Sequence, residues 1–230
     1  MSDDEPIQLT LGVNLDDEAK FENFFLIEGN NPLLTELQSD FSMLYLWGSP
    51  GSGRTHLLQS LCHREAEAVQ PAIYIPLADY ENYSTAILEG LSTLNIICID
   101  DVHAISGNTD WEIALFDFFN EAKQNHSRIV FSADCSPQEL GITLRDLRSR
   151  LQSIPVFRIA TMNDKQSIDA LIFRAKRRGM ELNAATAEFI YRRSNRSIDQ
   201  LMGLLNKLDQ VSLAEQRRLT IPLVKETMGW

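Results

Sequence analysis

Apolar residues fall in short dense runs along this chain, and helical periodicity fills most of the gaps between them. "SMLYLW" (42–47) reads as a short buried strand, and an amphipathic run follows from Thr55 to about Val69. "AIYIP" (72–76) is a second strand, followed by a helix predicted through "STAILEGL" (84–91). "NIICIDD" (95–101) is a third strand, and "DWEIALFDFFNEAKQ" (110–124) has the strong 3.6-residue period of a helix. "RIVFSAD" (128–134), the short basic helix "TLRDLRSRL" (143–151) and "VFRIA" (156–160) complete the series. Strands that are apolar throughout and alternate with helices predict an α/β fold, a parallel sheet covered on both faces. From Asp164 the strand signals fade, and helical runs at 164–178, 184–193 and 198–213 predict a small helical lid domain. A strand-like "RLTIP" (218–222) and a short terminal helix close the chain. The expected boundaries are a mobile tail over 1–19, a nucleotide-binding α/β domain over 20–161 and the lid over 162–230.

Composition narrows the class. At 44% hydrophobic residues, the 230-residue chain can bury a core. No apolar run approaches the ~20 residues that span a bilayer, and the acidic start "MSDDEPIQ" is unlike a secretory signal. A cytoplasmic protein without membrane contact is expected. Cys62, Cys98 and Cys135 lack C-x-x-C spacing and read as buried thiols of a reducing compartment. The net charge of −11 opposes direct binding to phosphate backbones. "RAKRR" (174–178) is the one locally basic run considered for nucleic acid, and at helical spacing it reads as a solvated helix face.

"GSPGSGRT" (48–55) changes the picture most. It follows a predicted strand and opens a predicted helix, the setting of the phosphate-binding loop G-x-x-x-x-G-K-[ST]. Gly48, Gly51 and Gly53 let successive backbone N–H groups point inward, and these with the helix N-terminus form a nest for phosphates. The nucleotide-binding residues expected here are Gly48, Pro50, Gly51, Ser52, Gly53, Arg54, Thr55 and His56. Thr55 can offer its hydroxyl to Mg²⁺. "IICIDD" supplies the acidic partner, with Asp100 placed to hold the metal through water and Asp101 to polarise an attacking water. Arg54 stands where the motif has lysine. Its planar fork stays cationic and can pair with a phosphate oxygen, but it is too wide to sit between β- and γ-phosphates as lysine does. Binding should survive, a diphosphate should be accommodated, and intrinsic hydrolysis should be poor.

Three further residues lie where AAA+ ATPases carry functional groups. Asp134 ends the fourth strand at the sensor 1 position. Arg150 in "LRSRL" resembles the arginine finger that reaches a neighbour's site, and Arg196 in "NRSIDQL" lies where sensor 2 lies. Over residues 20–230 the chain resembles the AAA+ domain of the bacterial replication initiator DnaA. "FENFF" (21–25), "LYLWGSPGSGRTHLLQ" (44–59), "IICIDDVHAI" (96–105), "LRDLRSRL" (144–151) and "NRSIDQLMGLLNKL" (195–208) carry that resemblance. DnaA has lysine in the loop and continues into a basic helix-turn-helix domain, whereas this sequence has Arg54 and stops at Trp230. Both departures are similar to the DnaA-related regulators of initiation, the Hda family.

That resemblance implies the function. In the family an N-terminal Q-L-x-L motif binds the DNA polymerase sliding clamp, and Gln8-Leu9-Thr10-Leu11 matches it. Gln8 can make amide hydrogen bonds while Leu9 and Leu11 fill an apolar pocket. The family works as an ADP-bound regulator: on a clamp loaded on DNA it docks on ATP-bound DnaA and promotes the partner's hydrolysis. ADP with Mg²⁺, the initiator and the clamp are therefore the expected ligands and partners, DNA is met mainly through the clamp, and self-association stays open. The rival readings are an AAA+ ATPase with its own turnover, such as a helicase loader, a DNA-binding initiator fragment, and a small-molecule P-loop kinase.

Overall fold

The computed structural model describes residues 15–195 and 197–230, with all their side chains except that of Asp199. The clamp motif Gln8, Leu9 and Leu11 and the sensor 2 candidate Arg196 lie outside the described residues.

Five strands, β1 (Met43–Trp47), β2 (Ala72–Pro76), β3 (Ile96–Asp100), β4 (Arg128–Ala133) and β5 (Val156–Arg158), form one sheet in the order β2-β3-β4-β1-β5. All pairs are parallel; Trp47 lies opposite Ala133, and Ile99 opposite Phe131. Alternation along each strand divides the apolar side chains between two layers. Met43, Tyr45, Ile97, Ile99, Ile129 and Phe131 face one core, which α3 (Thr109–Gln124) and α4 (Arg145–Ser153) cover. Leu44, Leu46, Ile96, Cys98 and Val130 face the other, under α1 (Asn31–Leu37) and α2 (Arg54–Glu67). This arrangement explains why the strands read as continuous apolar runs.

A third core joins α5 (Asp164–Arg177), α6 (Ala184–Arg193), α7 (Ile198–Glu215) and α8 (Ile221–Met228) through Leu171, Ile190, Leu201, Leu205 and Leu223. Asn163 opens α5 with a full capping box, Asn163 and Gln166 each bonding the other's backbone. Two local expectations fail. "STAILEGL" is not a helix but two short 3-10 turns, Thr85–Leu88 and Leu91–Thr93, separated at Gly90, whose φ of +73° cannot continue a right-handed helix. "RLTIP" contributes only the bridge of Leu219 to Leu182, because Pro222 in the first turn favours starting α8 at Ile221.

Glu112 fixes the placement of α4. Its buried carboxylate accepts from Gly107 N (2.7 Å), Thr143 N (3.0 Å), Thr143 Oγ1 (2.7 Å) and Leu144 N (2.7 Å), just before α4 begins. Burial pushes this carboxyl up, but the bonds from Thr143, Gly107 and Leu144 outweigh it and hold the group below its usual range. Glu112→Ala would leave these donors unpaired, and we expect a loss of about 3 kcal/mol in urea denaturation. Because the folded value is depressed, this contribution is complete above the ordinary value of 4.5 and fades as pH falls through the folded one. The gap between wild type and variant should therefore close in strong acid.

Candidate nucleotide site

Parallel strands deliver their C-terminal ends to one edge of the sheet, where open α/β folds bind ligands. The loop after β1, Asp100 and Asp101 at the end of β3, and Asp134 after β4 meet at that edge. Residues 48–53 turn tightly before α2, and Gly53 takes φ +96° with Phe24 packed on it. A Cβ there would come within 2.7 Å of Phe24 Cε2, so both the backbone angle and the contact require glycine.

The loop forms one wall of a cavity of about 580 Å³. Ser49 through His56 line it, with Asp16, Asn23 and Phe24 from the N-terminal segment, Ala160 and Met162 beyond β5, and Arg174, Arg178, Ile198 and Asn206 from the lid helices. The size suits a nucleotide-sized ligand. Two polar groups in the loop, Ser52 Oγ and Arg54 Nε, are buried and have no hydrogen-bond partner among the described residues. Buried polar groups are normally satisfied, so these two leave hydrogen-bonding capacity in the loop that a ligand could use.

Behind the loop the acidic pair is held from several sides. Asp100 is fully buried; its Oδ2 accepts from Thr55 Oγ1 at 2.6 Å and from the Tyr74 hydroxyl at 2.8 Å. Its Oδ1 accepts from the Ser132 hydroxyl and from Asp101 N. Tyr74, pushed up by burial and by Asp100, stays a neutral donor. Arg54 folds over the other acid: Nη2 bonds Asp101 Oδ1 at 2.8 Å, and Nη1 bonds the Gly48 carbonyl. Burial and the neighbouring Asp100 raise the Asp101 carboxyl above its ordinary value, against the opposing pull of Arg54 and His103.

Asp134, the residue expected to act as sensor 1, is joined to this group through His103. Its backbone N–H donates to His103 Nδ1 at 3.4 Å, and its carboxylate lies 3.6 Å from His103 Nε2. The same imidazole stands 3.9 Å from Asp101. His56 turns away from the loop, donating through Nε2 to the Lys20 carbonyl at 2.9 Å beside the Phe24 ring. Burial lowers its pKa, against the opposing pull of the Lys20 carbonyl.

Arg150 is not in this cavity. It lies exposed in the last turn of α4, with Arg145 exposed and Arg148 half-buried, while Leu147 and Leu151 anchor the helix in the core. No ion pair engages these three arginines among the described residues. The "RAKRR" run departs from the solvated face expected of it. Arg174 is buried, donating to the Asn23 carbonyl at 3.0 Å and to Glu18 Oε2 at 3.3 Å. Arg178 also reaches Glu18 Oε2 at 3.3 Å, and Arg177 pairs with Glu22 at 2.6 Å. Residues 16–23, read partly as tail, are thus fastened to the lid and, through Asp16 N to Gln59 Oε1 at 2.9 Å, to α2. Composition hid this, because acidic and basic residues 156 and 160 positions apart reveal no pairing in a single sequence.

Among the described residues, the oxygen donors of this site suit a magnesium ion that is shared with a ligand. No group of three or more His, Cys, Asp or Glu among the described residues could hold a metal by itself. Thr55 and Asp100 are adjacent hard oxygen donors, and Mg²⁺ characteristically takes one or two such ligands and completes its shell with phosphate and water. No helix among the described residues is long and apolar enough to cross a membrane.

Comparison with known proteins agrees with this geometry. Residues 15–154 match the model of the bacterial DnaA ATPase domain, and residues 164–228 match that of the Hda lid domain. A protein of Haemophilus influenzae described as uncharacterised is 38% identical over 228 residues, covering 96% of this chain and 98% of that one. Among solved structures, domain III of the Thermotoga maritima initiation protein DnaA superposes with a TM-score of 0.76 at 23% identity, over 94% of this chain and 98% of that one. DnaA from Aquifex aeolicus, solved with AMPPCP bound, gives 0.72 at 22% identity, over 87% and 67%. At such identities the superpositions speak for the fold. The family models and the relative carry the assignment further: this chain belongs to the bacterial DnaA ATPase-domain family and is an Hda-like, DnaA-related AAA+ protein.

Proposed function

We propose that this protein is an ADP-bound regulator of DNA replication initiation that acts on the ATP of its partner rather than on its own. Bound to the DNA-loaded sliding clamp through Gln8, Leu9 and Leu11, it docks on ATP-bound DnaA and stimulates hydrolysis there, so that the initiator cannot fire again. The reading is carried by one observation: Arg54 spans from the Gly48 carbonyl to Asp101, tying up the carboxylate that would face an attacking water. A site arranged so is suited to keeping a nucleotide. The solved relative named above binds a nucleotide analogue in the same fold, which supports placing one here.

In this reading the loop amides, Ser52 and Arg54 hold the diphosphate, and Thr55 and Asp100 hold Mg²⁺, which supplies charge neutralisation to the phosphates. Asp134 orients His103 and through it Asp101. Arg196 is assigned to the nucleotide from the lid side. The chemical contribution to the partner comes from Arg150, whose guanidinium stabilises charge on a phosphoryl group in the neighbouring molecule. Acidic overall charge makes the clamp, rather than direct contact, the main route to DNA.

Calorimetric titration with ADP in magnesium buffer tests the nucleotide part. Saturable one-site binding is expected. Removing the Thr55 hydroxyl by Thr55→Ala should weaken it about tenfold or more, equivalent to one lost charge-assisted contact of about 1.4 kcal/mol. Ser49→Ala should have a smaller effect. Absence of ADP binding, or equal effects of the two substitutions, would overturn this reading of the loop.

A further inference from the structure

The chain passes from β5 into the lid through residues 159–163, and Ala160 N is held there by Asn30 Oδ1 at 2.8 Å. The lid has its own core, which takes in no residue of the α/β domain. Among the described residues, every hydrogen bond and ion pair from the lid helices to the rest of the chain ends on Glu18, Glu22 or Asn23. Glu18 Oε2 receives both Arg174 Nη2 and Arg178 Nε at 3.3 Å. Arg174 Nη1 donates to the Asn23 carbonyl at 3.0 Å, and Arg177 Nε to Asn23 Oδ1 at 3.1 Å. The rings of Phe25 and Phe173, 5.7 Å apart, extend the same seam. On its other side this segment is bound to α2, by Asp16 N to Gln59 Oε1 and by His56 Nε2 to the Lys20 carbonyl, each at 2.9 Å. Residues 16–23 thus bridge the two domains beside the cavity, which Asp16, Ala19 and Asn23 line together with Arg174 and Arg178.

We propose that residues 16–23 are a latch on the lid: the cluster of Glu18, Arg174 and Arg178 has to part before a ligand enters or leaves the cavity. This rests on the nucleotide reading above and adds to it the control of exchange. A helical lid with a separate core and one short connection can swing as a body. What resists the swing is its bonding to this segment. The side chains of Arg174 and Arg178 are only 9% and 12% exposed, and parting them from Glu18 leaves two shielded cations without an anion. Such a break costs more than the pair contributes. Glu18 itself is 45% exposed, so water and salt compete for its carboxylate and the latch can open. The neighbouring pair of Glu22 and Arg177 is more exposed, at 63% and 39%, and should hold little. Glu18 is not among the residues that line the cavity, so it can act on a ligand only through the latch or through its charge. The two routes have opposite signs. Removing an anion near a phosphate site favours the bound anion and slows its release, whereas loosening a latch speeds release.

The test follows association and release of a fluorescent methylanthraniloyl derivative of ADP by stopped flow in magnesium buffer, for wild type, Glu18→Gln and Glu22→Gln, with amide hydrogen exchange of each protein. Glu18→Gln should raise both rates about tenfold, the scale of one charge-assisted bond, and leave Kd within about threefold. Amides over 16–23 and 174–178 should exchange faster in that variant. Glu22→Gln should stay within about twofold of wild type. Release from wild type should quicken with added salt, and release from Glu18→Gln should respond much less. The salt series on wild type needs no variant to fold. Rates unchanged by Glu18→Gln, or insensitive to salt in wild type, would overturn the latch. Slower release with faster association would mean that Glu18 acts by charge alone, and weaker Kd with unchanged association and a lower melting temperature would mean a purely structural role; the proposal fails in both cases. Wild type that binds no ADP would overturn the nucleotide reading and the gating of ADP with it, a result distinct from binding that Glu18→Gln leaves unaltered.

Discussion

Arg150→Ala is expected to abolish stimulation of the initiator's ATP hydrolysis while leaving ADP binding, clamp binding and stability unchanged. Arg150 is exposed at the end of α4 and is not among the residues that line the cavity, so its loss should remove no internal contact. The helix beneath it is rigidly set: Leu147 and Leu151 are fully buried, and Glu112 holds its first turn through Thr143 and Leu144. A cation presented on a fixed element can stabilise developing charge on a phosphoryl group without reorganising at the moment of reaction. Arginines supplied in this way contribute ~10³–10⁵ in rate, or roughly 4–7 kcal/mol of barrier. Arg145 and Arg148 should matter less and mainly through docking. Near-normal stimulation by Arg150→Ala would mean that docking alone triggers hydrolysis.

Gln8→Ala combined with Leu11→Ala should remove clamp binding and spare the fold. The first anchors of the described chain lie beyond this motif: Asp16 N bonds Gln59, the Asp16 carbonyl accepts from His63, and Ala19 is buried. Burying one leucine is worth ~1.5–3 kcal/mol, so losing Leu11 and the Gln8 amide together should weaken binding about a hundredfold or more. A pull-down on purified sliding clamp, alongside thermal melting, reads both properties. A double variant that melts several degrees lower and still binds the clamp would mean that these residues pack on the protein itself.

The sheet was legible because each strand is a buried apolar run bounded by turn residues, and the predicted strands over 72–76 and 128–134 fall within a residue of those observed. The helix α1 carries its signal in Asn31-Pro32, with proline in the first turn where its missing N–H costs nothing. The turns at 85–93 were misread because Leu, Ile and Ala at helical spacing outvoted Gly90, whose left-handed conformation decides the matter. In the site, Gly48 to Thr55 and the two aspartates could be found because a phosphate nest and its acidic partner have fixed spacing. Tyr74, Ser132 and His103 could not, since each reaches the acids from a different strand or turn. The pairing of Glu18 with Arg174 and Arg178 depends on how the lid closes on the N-terminal segment, which charge balance alone does not encode.

The most direct test loads DnaA with labelled ATP and this protein with unlabelled ADP, then follows label hydrolysis in a single turnover with and without clamp loaded on DNA. The account predicts rapid conversion of the initiator's ATP only when this protein and the DNA-loaded clamp are both present, with no turnover by this protein alone. Conversion that is independent of this protein or of the clamp, or ordinary ATP turnover by the isolated protein, would contradict it.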